Sequence, residues 1–280
     1  MNCKKRNWVK LICSDKTIEL TESDGFELIG FDKHEVNGET FTQEINGMDG
    51  VLMGSTSFGP FELSLHFRYT GEDSIDMDLF CFELEQRIQK REPYYVNHSK
   101  LPGIKYFVAP TPKVETDKLT LRHRDFKITF MCNKGYAESL YETNQYDTSD
   151  KWQFSNGLVI DDEIKYKHHD WGFKIFNGST DTIAPFPHRH KLTIKINIDT
   201  PKGFKMTNHT TGDVFEYKAG IKSNQQLIIN GIYPTINNER VGKNTNHEWI
   251  TLAPGYNDIE ITGEKLTKPI VEFIFPFVYR

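Results

Sequence analysis

The sequence predicts a mainly β protein of two domains, with one helix in the first. Three observations carry that reading. Apolar and polar residues alternate along several stretches, Phe61–Tyr69 (FELSLHFRY) being the cleanest. A single stretch, Asp76–Arg91, has the three-and-four spacing of an amphipathic helix. The second half runs as short strand candidates with turn signals between them, the pattern of an antiparallel β-sandwich. A length of 280 residues suits one large domain or two of medium size.

The first half reads as a β-rich α+β domain. Asn7–Cys13 and Gly25–His34 are strand candidates. In the next strand Phe61, Leu63, Leu65 and Phe67 share one face, with Glu62, Ser64, His66 and Arg68 opposite. Between these strands, Asn37–Pro60 is rich in glycine and keeps little periodicity. It reads as a long arm, either a surface loop or a segment that packs on a partner. The helix, 76–91, puts Met77, Phe80, Leu84 and Ile88 on one stripe. Ser74 or Asp76 is the expected N-cap, Arg87, Lys90 and Arg91 suit the last turns, and Pro93 blocks continuation. Tyr94–Asn97, Gly103–Ala109 and Leu119–Cys132 follow as strands. The polar run at 135–150 marks the domain boundary.

The second half is strand and turn. Leu192, Ile194, Ile196 and Ile198 alternate with polar residues. Asn208–Gly212 is a turn, and Val214, Phe215 and Tyr217 begin another strand. Gln226–Ile232 leads into a turn-rich segment through Asn246. Asn257–Thr262 and Ile270–Tyr279 complete the set, with Pro276 marking an edge or bulge in the last strand.

Composition narrows the function classes. The net charge is -5. Residues 1–150 carry 18 basic and 25 acidic side chains, and residues 151–280 carry 16 and 14, so the first half holds the acidity. That balance argues against a protein that grips nucleic acid. Cys3, Cys13, Cys81 and Cys132 form no CxxC pair, so neither a zinc ribbon nor a disulfide framework is expected. The opening MNCKKRNWVKLICS is too short and polar for a signal peptide, and no apolar run is long enough to span a membrane. The sequons at Asn97, Asn177 and Asn208 are then chance matches.

The densest chemistry lies in YKHHDWGF, 166–173, and PHRH, 187–190. If the first were extended, His168 and Asp170 would face away from His169 and Trp171. His188 and His190 share a face and could join His168 or Asp170 around zinc. No HExxH accompanies them, and Pro185 and Pro187 make the second segment a loop, so solvated loop histidines are the preferred reading. Ser55 and Ser179 lack the second glycine of a nucleophile elbow, GMDGVLMG lacks the Lys-Ser/Thr of a phosphate loop, and Asp161, Asp162 and Glu163 read as a solvated turn. No catalytic residue, cofactor site or metal site is assigned. Trp171 or Trp249, if exposed, could stack on a sugar ring; core packing is the commoner use of Trp in a sandwich.

The ordered set of segments resembles the distal tail proteins of long, non-contractile-tailed phages, a tail-tip and baseplate hub ring family. The resemblance rests on NGMDGVL, FKITFMCNKGYAESLYE, FKIFNGST, the TNHTTG turn, QLIINGIYPTI, ITLAPGYNDIEITG and the terminal FIFPFVYR. It implies a virion protein assembled in the host cytoplasm and placed at the tail tip. Residues 1–140 would build a homohexameric ring, with the arm at 37–60 reaching a neighbour. Residues 141–280 would form a galectin-like sandwich. The implied partners are further copies of the chain, the tail tube protein, the tail-associated hub or lysin protein and receptor-binding proteins. DNA would pass through the channel without specific binding, and no membrane insertion or enzymatic turnover is expected. The alternative is a carbohydrate-binding β-sandwich protein.

Overall fold

The computed structural model describes residues 7–118, 120, 122–145, 164–267 and 269–280. It is mainly β and divides into two compact units. The described residues up to Glu138, with Arg280, form the first; those from Ser139 to Tyr279 form the second.

In the first unit the strands are β1 (Val9–Ile12), β2 (Thr17–Glu19), β3 (Phe26–Lys33), β4 (Gly38–Gln43), β5 (Leu52–Phe58), β6 (Phe61–Thr70), β7 (Tyr94–His98), β8 (Ile104–Val108), β9 (Lys113–Lys118) and β10 (His123–Cys132); β11 (Ala137–Ser139) spans the division between the units. The main antiparallel sheet runs β2-β1-β7-β8-β10-β6-β3. Its spine is β10, which pairs with β6 along its whole length, from His123↔Thr70 to Cys132↔Phe61. Alternation explains the layering. Leu63, Leu65 and Phe67 of β6 and Phe126, Ile128 and Phe130 of β10 are buried on one face. Ser64, predicted for the polar face, is also buried; its hydroxyl pairs with Thr129 across the strands at 3.0 Å.

The helix α1 (Ser74–Ile88) covers that face. Met77, Phe80, Leu84 and Ile88 are buried, as their spacing predicts. Phe80 stacks on Tyr69 at 3.7 Å and tilts against Phe26 at 4.9 Å. The N-cap is Asp73, not Ser74 or Asp76: its carboxylate accepts from the backbone N–H groups of Ile75 and Asp76, both at 2.9 Å. Asp76 instead accepts from the Tyr69 hydroxyl. The helix stops at Ile88 rather than Arg91, because Gln89 turns extended (ψ 118) and Lys90 donates its N–H to Pro110. Only Arg87 therefore sits in the last turn.

Two sequence expectations in this unit shift. β9 was not foreseen: KVETDK is polar and belongs to an edge, where one face need not be apolar. The strand expected from Leu119 starts at His123, because the Thr120 hydroxyl accepts from the N–H groups of Arg122 and His123 in a turn. The segment 37–60 is not irregular either. β4 and β5 form a separate two-stranded antiparallel ribbon.

The second unit contains β12 (Lys167–His168), β13 (Gly172–Asn177), β14 (Thr193–Asn197), β15 (Phe204–Asn208), β16 (Val214–Tyr217), β17 (Gln226–Asn230), β18 (Tyr233–Ile236), β19 (Glu239–Arg240), β20 (Gly255–Gly263), β21 (Ile270–Ile274) and β22 (Val278–Tyr279). One sheet runs β12-β21-β14-β17-β18-β19 and the other β13-β20-β15-β16, all antiparallel. Ile194, Ile196, Leu227, Ile229, Val271 and Phe273 are buried in the first; Ile175, Met206, Phe215, Ile259 and Ile261 are buried in the second. Phe173 and Phe273 meet edge to face at 6.1 Å across the sheets. The turn-rich stretch before Asn246 contains β18, masked in the sequence by Pro234 and closed by Asn237 and Asn238, both at positive φ. Pro276 ends β21, and the flanking Phe275 and Phe277 stay buried.

Candidate functional site

The ribbon of the first unit breaks the usual rule for apolar residues. Every residue of β4 and β5 is exposed. Among them and in the connecting turn are Phe41, Ile45, Met48, Val51, Leu52, Met53 and Phe58, with Met53 77% and Phe41 66% exposed. Single exposed apolar residues are ordinary; a cluster on one element marks an interaction surface. A lone two-stranded ribbon is also marginal in water, so the element needs support from elsewhere.

Local sequence shapes the ribbon. The register slips between Thr40 and Thr42, which places Phe41 in a bulge. Gly54 lies beneath it: a Cβ there would sit 3.0 Å from the Phe41 ring. Gly47 and Gly50, at φ of 85° and 81°, turn the tip. At the base, Asn37 accepts from the Gly59 N–H at 2.8 Å. The Arg280 guanidinium lies over the Phe58 ring at 3.9 Å. Gly135, from the NKGYAESL segment, packs on the same base. Any Cβ at 135 would fall 2.3 Å from the Phe58 carbonyl oxygen, so only glycine fits.

A second exposed apolar row lies on α1. Ile75, Leu79 and Phe82 follow the i, i+4, i+7 spacing on the face turned from the core, and Phe82 is 62% exposed. The sequence reading used only the buried stripe and missed this one.

The histidine cluster comes apart. β12 ends at His168 and the chain bends at Asp170 and Trp171, so the strand alternation expected there does not continue. His168 stacks on Phe173 at 4.4 Å and contacts the Lys165 carbonyl oxygen at 2.8 Å; burial lowers its pKa. His190 is buried, with Nδ1 2.9 Å from the Thr182 carbonyl oxygen and accepting from the Ala184 N–H; His188 is exposed. Residues 185–190 form a loop, as Pro185 and Pro187 predict. Among the described residues, no group of three or more His, Cys, Asp or Glu side chains is placed to hold a metal ion.

The nucleophile candidates are structural. Ser179 accepts from the Val278 N–H at 2.9 Å, and Ser55 lies on the exposed ribbon. Burial pushes the Cys132 thiol up to about 12 and also raises Cys13, so both are protonated at neutral pH. The Asn97, Asn177 and Asn208 sequons are buried, each amide bonded to backbone carbonyls. Trp171 is partly exposed, and Trp249 is half-buried with Phe186 edge-on at 5.3 Å. Cys3, Asp161, Asp162 and Glu163 lie outside the described residues.

Comparison with known proteins gives a consistent result. Residues 15–132 match the model of the phage tail protein RIFT-related domain. No curated protein matches the sequence. Among solved structures, the Dit protein (gp 19.1) of phage SPP1, described as a paradigm of the hub adsorption apparatus in phages infecting Gram-positive bacteria, aligns over 96% of this chain and 99% of its own. The TM-score is 0.67 at 13% identity. A chain of the phage P2 baseplate in its activated conformation with Ca covers 97% of this chain and 98% of its own at 13% identity and TM-score 0.45. The corresponding structure with Sr covers 96% and 97% at 15% identity and TM-score 0.41. The SPP1 Dit alignment takes in both units, so the fold is shared along nearly the whole chain. The first unit thus carries a match to the phage tail protein RIFT-related domain over residues 15–132, and both units share their fold with the SPP1 Dit protein.

Proposed function

We propose that the protein forms a homohexameric ring at the tail tip. The ring joins the tail tube protein on one face to the tail-associated hub protein on the other, and the second, galectin-like unit offers attachment to receptor-binding proteins. The carrying observation is the β4–β5 ribbon, a separate element of a tail protein domain with its apolar residues exposed. A cyclic ring uses a head-to-tail interface, in which one patch of each subunit meets a different patch of the next. The ribbon is one such patch. The outer row of α1, Ile75, Leu79 and Phe82, is a second exposed apolar row among the described residues of the same unit. A standard interface buries roughly 800 Å² per partner over about 20–30 residues a side, so the seven apolar side chains of the ribbon and its turn and the three of the helix would form the apolar centre of a wider contact.

The function is assembly rather than turnover. The acidity of residues 1–150 suits a ring around passing DNA, since like charge keeps the duplex from sticking to the wall. Native mass spectrometry of the purified protein and negative-stain imaging of the particle test this reading together. Six-fold species or six-fold rings at the tail tip support it. A chain that stays monomeric when purified and shows no ring at the tail tip overturns it.

A further inference from the structure

The second unit holds a cleft of about 280 Å³ that the ring reading leaves unused. Two of its lining aromatics reach solvent. Tyr233 is exposed, with the Arg240 guanidinium 5.2 Å from its ring centre. Trp249 is half-buried, its ring fixed by the edge-on Phe186. Arg240, His247 and Glu248, all exposed, bring donors and acceptors to the same cleft.

The wall that carries these groups is held by its own hydrogen bonds. The Asn246 side chain accepts from the Glu216 N–H at 3.0 Å and donates to the Val214 carbonyl at 2.7 Å. The Thr245 hydroxyl donates to the Gly242 carbonyl at 2.8 Å and accepts from the His247 N–H at 3.2 Å. His247 itself sits at φ 63°, a left-handed conformation uncommon for a residue with a Cβ. Glu248 and Trp249 follow directly, so the fixed backbone presents three lining side chains in a row. A wall ordered before binding spares a ligand that cost.

We propose that this cleft binds a pyranose ring. The non-polar C–H face of a sugar suits an aromatic lining of Trp249 and Tyr233, one face of the latter already taken by Arg240, while hydroxyls around its edge both donate and accept. Glu248 accepts and Arg240 donates, which matches neighbouring hydroxyls. A purely apolar side chain would strip water from the Glu248 carboxylate and the Arg240 guanidinium and offer them no hydrogen bond in exchange. A phosphate-rich chain fits less well, because Glu248 offsets Arg240 in the lining of the cleft. The cleft lies within the second unit alone, so the proposal stands whether or not a ring forms.

The test uses the full chain with methyl glycosides of glucose, galactose, mannose and N-acetylglucosamine, up to about 20 mM, the range of a weak single-ring site. Saturable tryptophan quenching and saturation-transfer NMR are the readouts. A purified bacterial wall polysaccharide forms a second arm. Signal from the glycosides places recognition in a single free ring; signal from the polymer alone places it in a ring within a chain. Either supports the proposal when it falls tenfold or more in Tyr233→Ala and Arg240→Met. Both positions are exposed, which keeps the test independent of folding, and Trp249→Ala with an unchanged circular dichroism spectrum adds a third. Trp171→Phe keeps the signal. The proposal is overturned by no saturable signal in either arm, or by a signal that survives these substitutions.

Discussion

His98 is the residue with the sharpest physical consequence. It is fully buried in the first unit, tilted against Phe31 at 4.7 Å and parallel to Tyr106 at 6.0 Å, and neither ring nitrogen has a hydrogen-bond partner among the described residues. Burial, with a smaller contribution from Lys100, lowers its pKa from 6.5 to about 4. The unfolded chain takes up this proton near pH 6.5, and the folded chain does so only near pH 4. Stability from this site is therefore complete above pH 6.5 and lost as the pH falls. At about 1.4 kcal/mol per pKa unit, the loss approaches 3 kcal/mol by pH 4. Urea unfolding of wild type and His98→Leu at pH 7 and 4.5 checks it: the variant keeps more of its stability on acidification, and parallel losses would clear His98 of the effect.

The buried asparagines make the second prediction at this scale. Asn257 accepts from the Ala253 N–H at 2.9 Å and from the Asn208 amide at 3.1 Å, and it donates to the Ala253 carbonyl at 2.8 Å. Asn257→Ala leaves several buried groups without partners, at about 1–3 kcal/mol each before relaxation. Thermal unfolding should drop by several degrees. A change within error would mean that the pocket rehydrates. None of this was legible in the sequence. An asparagine in LAPGYND or NHTTG reads as a turn former or a sequon, and only tertiary contacts reveal it as a buried strut.

At the scale of elements, legibility followed burial. β6, β10, β14 and the inner stripe of α1 each bury one face, so selection for a core writes their periodicity into the chain. β9 and the ribbon bury no face of this kind, and the same signal fails there. The helix start was misassigned by one to three residues because Asp73, Ser74 and Asp76 are all competent caps in sequence. Geometry selects one: Asp73→Ala should cost about 1 kcal/mol, while Ser74→Ala changes stability little. Equal effects in chemical denaturation would contradict the assignment. For the ribbon, Phe41→Ser with Met53→Ser should leave the monomer's unfolding within about 0.5 kcal/mol, since both side chains are exposed. The same pair should abolish higher species in native mass spectrometry. A ring that persists in the double variant would move the interface elsewhere.

At the scale of the molecule, the mainly β architecture could be read from strand alternation and turn spacing, and the likeness to phage tail proteins from an ordered set of soft motifs. Gly135 shows why such motifs carry information without chemistry: the residue is required where a ribbon base leaves no room for a Cβ. The surface proposed for assembly was legible only in part. The glycines pointed to an arm, but its β pairing and the outer row of α1 needed coordinates. The central claim is that the ribbon closes a ring of copies of this chain. Electron microscopy of the phage particle at side-chain resolution tests it most directly. The account predicts six copies at the tail tip, with Phe41 and Met53 of each buried against the next subunit. A chain found elsewhere in the particle, or a ring in which the ribbon stays in solvent, would contradict it.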